Sequence, residues 1–225
     1  EEEANIYEMV DSVKKVPFFN TMYSVIDMLT NYYFDFGKFE YGPYYTTYSN
    51  NPIEGHRFRV GGRTTKEFNE KLRLGGHFAY GTLDKRIKYG IDVDYMLSQV
   101  PRRLVSTSYH HDIRQLGKSD NAFLDDNILT TILRRELNYQ LTMVDLFKFE
   151  YEHEWFQGLS NTIKFNHKTI YSTPYVPFVL PANNEIVDST SIRRITSSEI
   201  GVSFHFSFRE KFLLGHYDRI SLGSI

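Results

Sequence analysis

Residues 54–98 read EGHRFRVGGRTTKEFNEKLRLGGHFAYGTLDKRIKYGIDVDYMLS, and their pattern indicates the architecture of the chain. From position 87 onward its odd positions are aliphatic or aromatic: Ile87, Tyr89, Ile91, Val93, Tyr95 and Leu97. Its even positions are polar, small or Met: Lys88, Gly90, Asp92, Asp94, Met96 and Ser98. Because successive side chains of a strand point to opposite faces, the segment predicts a strand with one apolar and one polar face.

The same alternation recurs along the chain after residue 31. Val202, Phe204 and Phe206 alternate with small or polar residues near the C-terminus, for example. Strands are predicted near 32–41, 55–63, 71–82, 86–98, 102–112, 140–155, 160–171 and 193–209, with another beginning near 217. About ten residues suffice for a tilted strand to cross a bilayer. The sequence therefore predicts an all-β fold, an antiparallel up-and-down transmembrane β-barrel, complete or partial, over residues 31–225.

The first 30 residues have a different period. Ile6, Met9, Val10 and Val13 follow helical spacing, and the pattern resumes after Pro17. Residues 1–30 are thus predicted to form a separate segment of short amphipathic helices, with Pro17 between two of them.

Composition narrows the class of protein. The net charge of −2 argues against a nucleic-acid surface, and the absence of cysteine excludes disulfides and thiolate metal sites. The chain has no run of about 18 apolar residues, which excludes a helical membrane protein. Aromatic residues make up 16% of the chain, as an aromatic-girdled barrel would require.

The lengths of the predicted connections assign an orientation. Connections at 64–70, 99–101, 156–159 and 210–216 are short and fall at one end of the sheet. Those at 42–54, 83–85, 113–139 and 172–192 fall at the other, and three of them are long. Outer-membrane barrels have short periplasmic turns and long external loops, so the helical segment falls on the periplasmic side. Loops 113–139 and 172–192 are candidate contacts for another envelope protein.

Two sets of residues are predicted to line the two faces. The lumen-facing set is charged: Arg57, Arg59, Arg63, Asp92, Asp94, Lys148, Glu150, Glu152 and Glu154. The lipid-facing set is Ile87, Tyr89, Ile91, Val93, Tyr95, Leu97, Val202, Phe204 and Phe206. The charged rows fit either a selective pore or a lumen filled by salt bridges, and the second reading is favoured because polar interiors accompany such barrels whatever their function.

No catalytic, cofactor or metal site is predicted. His110 and His111 are adjacent on a strand and therefore point to opposite faces, so they cannot easily share an ion. No Gly-x-Ser-x-Gly motif is present, and Ser203 with His205 is the kind of pair that eight histidines produce by chance.

Several segments resemble a known family. They are NPIEGHRFR at 51–59, GHFAYGTLD at 76–84, YHHDIRQLGKSDN at 109–121 and YEHEWFQGL at 151–159. They resemble the barrel portion of Bacteroidota outer-membrane proteins in which a carboxypeptidase-regulatory-like domain precedes a barrel of unknown function. The resemblance implies a longer intact protein, with a signal peptide and that domain upstream and further strands downstream, and it supplies no catalytic residues.

The expected function is that of a non-catalytic, integral outer-membrane protein of a Gram-negative bacterium, with a structural, transport or envelope-assembly role. Membrane lipid is the expected partner. The alternative is a soluble β-sandwich or open-sheet binding module, such as an adhesin or carbohydrate binder. In such a protein the apolar faces of two sheets would pack against each other. An outer-membrane hydrolase ranks third.

Overall fold

A computed structural model describes residues 32–116, 140–178, 181–182, 185–186, 193–208, 212–214, 217 and 219–221. The predicted helical segment at 1–30 lies outside the described residues, as do residues 117–139 of one long loop and most of 179–192 of the other. Among the described residues no helix has the length and apolar character needed to span a bilayer.

The described part of the chain is built from antiparallel strands. They are β1 Phe34–Asp35, β2 Phe39–Tyr41, β3 Tyr48–Asn51, β4 Gly55–Thr64, β5 Leu72–Gly81, β6 Ile87–Ser98, β7 Arg103–Gln115, β8 Leu141–Phe156, β9 Leu159–Tyr171, β10 Pro181–Ala182, β11 Glu185–Ile186, β12 Arg194–Phe206, β13 Phe212–Leu214 and β14 Arg219–Ser221. Ten of them form one sheet in the order β1-β2-β4-β5-β6-β7-β8-β9-β12, with β3 also paired to β4. The predicted all-β, antiparallel arrangement is confirmed, although the predicted strand 32–41 is observed as two short strands, β1 and β2, that pair with each other.

The strand β3 was not predicted, and its residues fall inside the expected connection 42–54. Its sequence, Tyr-Ser-Asn-Asn, has no apolar alternation that would indicate a strand. The pairing of β3 with β4 is instead set by a tight turn, in which the Asn51 side-chain oxygen accepts the backbone N–H groups of Ile53 (3.1 Å) and Glu54 (2.8 Å). Turn chemistry of this kind is local to one side chain and leaves no periodic signal.

The sheet is open within the described residues. At one edge β12 pairs only with β9 among the described strands, and all of its residues are exposed except the half-buried Gly201. Barrel closure, which the alternation led us to expect, is therefore not part of the described structure.

The residues buried among the described strands lie mainly on the polar side of the sheet. They include Lys88, Glu54, Arg57 and His77 alongside a small apolar group. That group is Ala79, Met96, Leu141, Met143, Val144, Leu146 and Tyr217. Leu141 and Met143 have the same parity on β8 as the exposed Phe147 and Phe149, yet both are buried.

Candidate functional site

One face of the sheet is apolar and exposed from edge to edge. Ile91 in the centre of β6 is 57% exposed, and Phe204 on β12 is 77% exposed. The predicted lipid-facing residues Ile87, Tyr89, Ile91, Tyr95, Leu97, Val202, Phe204 and Phe206 are all exposed, and Val93 is half-buried. Neighbouring strands continue this face with Phe58, Val60, Phe78, Tyr80, Tyr109, Phe147, Phe149 and Ile163.

This apolar face has the height of a bilayer core. The row on β6 runs over eleven residues, from Ile87 to Leu97. At about 3.3 Å per residue it spans about 33 Å along the strand, or about 25 Å if the strand tilts by about 40°. Tyr109 is paired with the central Ile91, and its ring centroid lies 6.1 Å from that of Tyr89. Trp155 lies at the short-connection end of the face, beyond Tyr151. An apolar band of about 25 Å is typical of outer-membrane barrels.

The opposite face carries a buried network of ion pairs. Arg57 on β4 donates two hydrogen bonds to the Asp112 carboxylate on β7, at 2.7 and 2.8 Å. His77 Nε2 on β5 lies 3.0 Å from the same carboxylate. A two-point Arg–carboxylate contact is among the strongest side-chain interactions, and here both charges are largely removed from water.

A second group of charges adjoins the first. Lys88 is fully buried, and its Nζ lies 2.8 Å from Glu54 and 2.5 Å from Asp84. Glu54 also accepts a bond from Arg57 at 3.1 Å and from the Asn51 amide at 2.7 Å, which joins the two groups into one cluster. Buried charges are tolerated only when they are paired in this way.

Small residues on β5 and β6 make this cluster possible. A Cβ atom at Gly81 would lie 2.4 Å from Asp84 Oδ1 and 2.9 Å from Lys88 Nζ. A Cβ atom at Gly90 would lie 2.4 Å from His77 and 2.5 Å from His110, whose rings stack above it with centroids 5.6 Å apart. The absence of side chains here lets long side chains from β4 and β5 reach β7 over the intervening strands.

Toward the middle of the polar face, charges pair between neighbouring strands and surround a cavity. Arg73 contacts Asp94 at 2.8 Å, His110 contacts Asp92 at 2.9 Å, and Arg63 contacts Glu40 at 2.6 Å. The cavity has a volume of about 360 Å³. Its charged lining is Arg59, Arg63, Arg73, His77, Asp92, Asp94, Lys148 and Glu150.

The end of the face with short connections carries a third charged group. Arg102 contacts Glu152 at 3.0 Å, and its backbone N–H donates to Glu154 at 2.7 Å. Glu154 also pairs with Arg219 at 2.8 Å. Glu150 pairs with Lys164 on the neighbouring strand, at 3.2 Å.

All nine residues predicted to line the lumen lie on this polar face, by the alternation and register of β4, β6 and β8. The predicted lumen-facing set omitted Glu54, His77, Lys88 and Asp112, which hold the buried cluster together. Alternation already put Lys88 in the same polar row as Asp92, and Asp112 has the parity of His110, but parity does not indicate which side chains are buried. Their partners could not have been found, since Arg57 and Asp112 are 55 residues apart.

The paired histidines behave as alternation predicts. His110 contacts Asp92 on the polar face, whereas His111 contacts Asp145 on the other face. Tyr171 donates to the same Asp145 carboxylate at 2.6 Å. The described residues contain no group of three or more His, Asp or Glu side chains arranged to hold a metal ion.

Comparison with known proteins gives one match. No curated protein and no solved structure is similar to the chain at a significant level. Residues 24–172, about two thirds of the chain, match the C-terminal domain of a family of unknown function, DUF5686. This segment contains β1 to β9 and every charged cluster described above except Arg219. The chain therefore belongs to the DUF5686 family, through its C-terminal domain.

Proposed function

We propose that this chain forms part of an integral outer-membrane β-barrel of a Gram-negative bacterium. Its apolar face meets lipid and its charged face lines an enclosed interior. Its role is non-catalytic: structural support, transport, or assembly with another envelope protein through loops 113–139 and 172–192. The resemblance described above extends the proposal to Bacteroidota and to a carboxypeptidase-regulatory-like domain upstream.

One observation carries the proposal, namely that burial is inverted relative to a water-soluble sheet. On β6 the fully buried Lys88 is flanked by Ile87, 64% exposed, and Tyr89, 37% exposed. Water-soluble proteins rarely expose a contiguous apolar patch of more than a few hundred Å², and larger ones mark contact with a membrane or another protein. A lipid environment removes the cost of exposing this face.

The polar face supports the same reading. Its charges are paired across the curved sheet, and the longest contacts run from β4 to β7 over two intervening strands. Polar interiors of this kind accompany small barrels, in which side chains fill the interior. A barrel also needs its edges joined, so β12 is expected to pair with a further strand in the intact protein.

The alternative, a soluble sandwich, requires a second layer over the apolar face. In the described part of the chain no strand or helix covers Ile91, Phe78 or Phe204, which stay 57%, 69% and 77% exposed. Such a layer would have to come from residues outside the described ranges or from another chain. The two readings therefore differ in whether the isolated protein needs detergent.

A solubility test separates them. The chain, refolded in detergent micelles, should stay dispersed only while detergent is present, and it should migrate anomalously on an unheated gel and normally after boiling. It should also insert into lipid vesicles and float with them in a density gradient. A monodisperse protein in detergent-free buffer, with the same mobility before and after boiling, would reject the barrel and favour the sandwich.

A further inference from the structure

The short strands β13 and β14 pair antiparallel with each other and stand apart from the main sheet. Tyr217, between them in sequence, is only 6% exposed. Its hydroxyl donates to the backbone carbonyl of Asn69, in the connection before β5, and its backbone carbonyl accepts from Arg102 at 2.9 Å. We call these two strands together with Tyr217 the C-terminal hairpin.

The hairpin crosses the polar face rather than extending the sheet. Tyr217 lies near Arg73 of β5, whose guanidinium carbon is 5.0 Å from the ring centroid. Arg219 of the same hairpin pairs with Glu154 of β8. Strands β5 and β8 are three positions apart in the sheet, or about 14 Å along a flat sheet at about 4.8 Å per strand. A segment that contacts both strands therefore lies over the polar face between them.

All of these contacts lie at the end of the sheet with short connections. Asn69 belongs to the connection between β4 and β5, Arg102 to that between β6 and β7, and Glu154 lies near the end of β8. The hairpin thus contacts the rim at three successive places on the same end. That end is the periplasmic one in the orientation that loop lengths assign.

The contacts are of a kind that resists displacement. The Arg219 and Glu154 side chains are 14% and 8% exposed, so their ion pair is largely shielded from water. The Arg219 guanidinium also stacks on Phe212 of β13, 3.3 Å from the ring centroid, which joins the two strands of the hairpin. Burial raises the pKa of the Tyr217 hydroxyl, so the group stays protonated and keeps donating to Asn69.

We propose that the C-terminal hairpin is a plug that closes the short-connection end of the polar interior, held by the Arg219–Glu154 ion pair and the Tyr217–Asn69 hydrogen bond. This proposal rests on the barrel proposed above. With the hairpin in place, solutes that enter from the long-loop end reach a closed chamber. They can pass through the barrel only when the hairpin is released.

The position of the hairpin can be tested without a membrane. The chain contains no cysteine, so the double variant Glu154→Cys, Arg219→Cys places two unique thiols where the ion pair was. A short bismaleimide should join them within one folded molecule in detergent and should not join a Leu83→Cys, Arg219→Cys pair, because Leu83 lies in the connection after β5, at the opposite end of the sheet. Equal cross-linking of both pairs, or of neither, would overturn the proposed docking.

Closure is tested by conductance across planar bilayers. The Glu154→Gln and Tyr217→Ala variants should conduct severalfold more than the unmodified protein, and joining the two cysteines by the bismaleimide should hold conductance at the unmodified level. The control is Lys66→Gln, which removes a charge from an exposed ion pair with Glu67 at the same end and should not raise conductance.

The two proposals fail in different ways. The plug would be overturned, and the barrel would not, if the cysteine pair cross-linked but the Glu154→Gln and Tyr217→Ala variants inserted into bilayers and conducted no better than the original protein. A protein that remains soluble without detergent would overturn the barrel and, with it, the closure, whereas the cross-linking result would still report where the hairpin docks.

Discussion

Arg57 and Asp112 form a two-point ion pair although 55 residues and two intervening strands separate them. Their side chains are 9% and 13% exposed. Arg57 is paired in register with Gly81 on β5, which has no side chain to block the guanidinium. The pair therefore depends on both the curvature of the sheet and the small residues beneath it.

Removing the charge of Asp112 should destabilise the fold strongly. In Asp112→Asn the buried Arg57 loses its main counter-ion, and breaking such a pair costs about 3–5 kcal/mol. Urea unfolding of the protein refolded in detergent measures this cost. The control, Glu67→Gln, disrupts an exposed pair and should cost less than about 1 kcal/mol. Equal midpoints for the two variants would show that the Arg57–Asp112 pair is not buried as described.

A methyl group at Gly90 should disturb the stacked histidines. Gly90→Ala places a Cβ atom 2.4 Å from His77 and 2.5 Å from His110, and such overpacking costs about 1–3 kcal/mol. Gly201→Ala is a matched control, because a Cβ there meets no atom within 4 Å. The unfolding midpoint should fall for the first variant and not for the second. A Gly90→Ala protein as stable as the original would contradict the stacked arrangement.

A charged residue in the centre of the apolar face should show whether this face contacts lipid or water. Ile91→Arg should cost about 2–4 kcal/mol if this position lies near the bilayer midplane. If the face were bathed in water, a substitution at a 57% exposed site should change stability by only about 0.5 kcal/mol. Unfolding from lipid vesicles gives the difference. Leu83→Arg, in the exposed connection after β5, serves as the control and should be tolerated in either case.

The single tryptophan provides a depth measurement. Trp155 is 62% exposed on the outward face, near the short-connection end of β8. In vesicles, lipids brominated near the headgroup should quench its fluorescence more strongly than lipids brominated near the chain terminus, because aromatic residues of barrels lie at the interface. An absence of quenching by either lipid would mean that this face does not meet the membrane.

The sequence predicted the strands well where their faces differ in polarity. The predicted strand 86–98 is observed as Ile87–Ser98, and the predicted 160–171 as Leu159–Tyr171. It missed Tyr48–Asn51, which depends on one asparagine in a turn, and it does not indicate that Leu141 and Met143 are buried although they share the parity of the exposed Phe147 and Phe149. Alternation reports which face a side chain takes, but not what lies against that face.

The two faces of the sheet can be assigned from the amino-acid sequence, because side-chain parity along a strand follows from backbone geometry. Which charges pair with each other depends on the tertiary structure. Arg57 with Asp112, Lys88 with Glu54, and Arg219 with Glu154 join residues brought together by strand register, sheet curvature and the hairpin that crosses the polar face. These depend on distances through space, and local sequence patterns do not encode them.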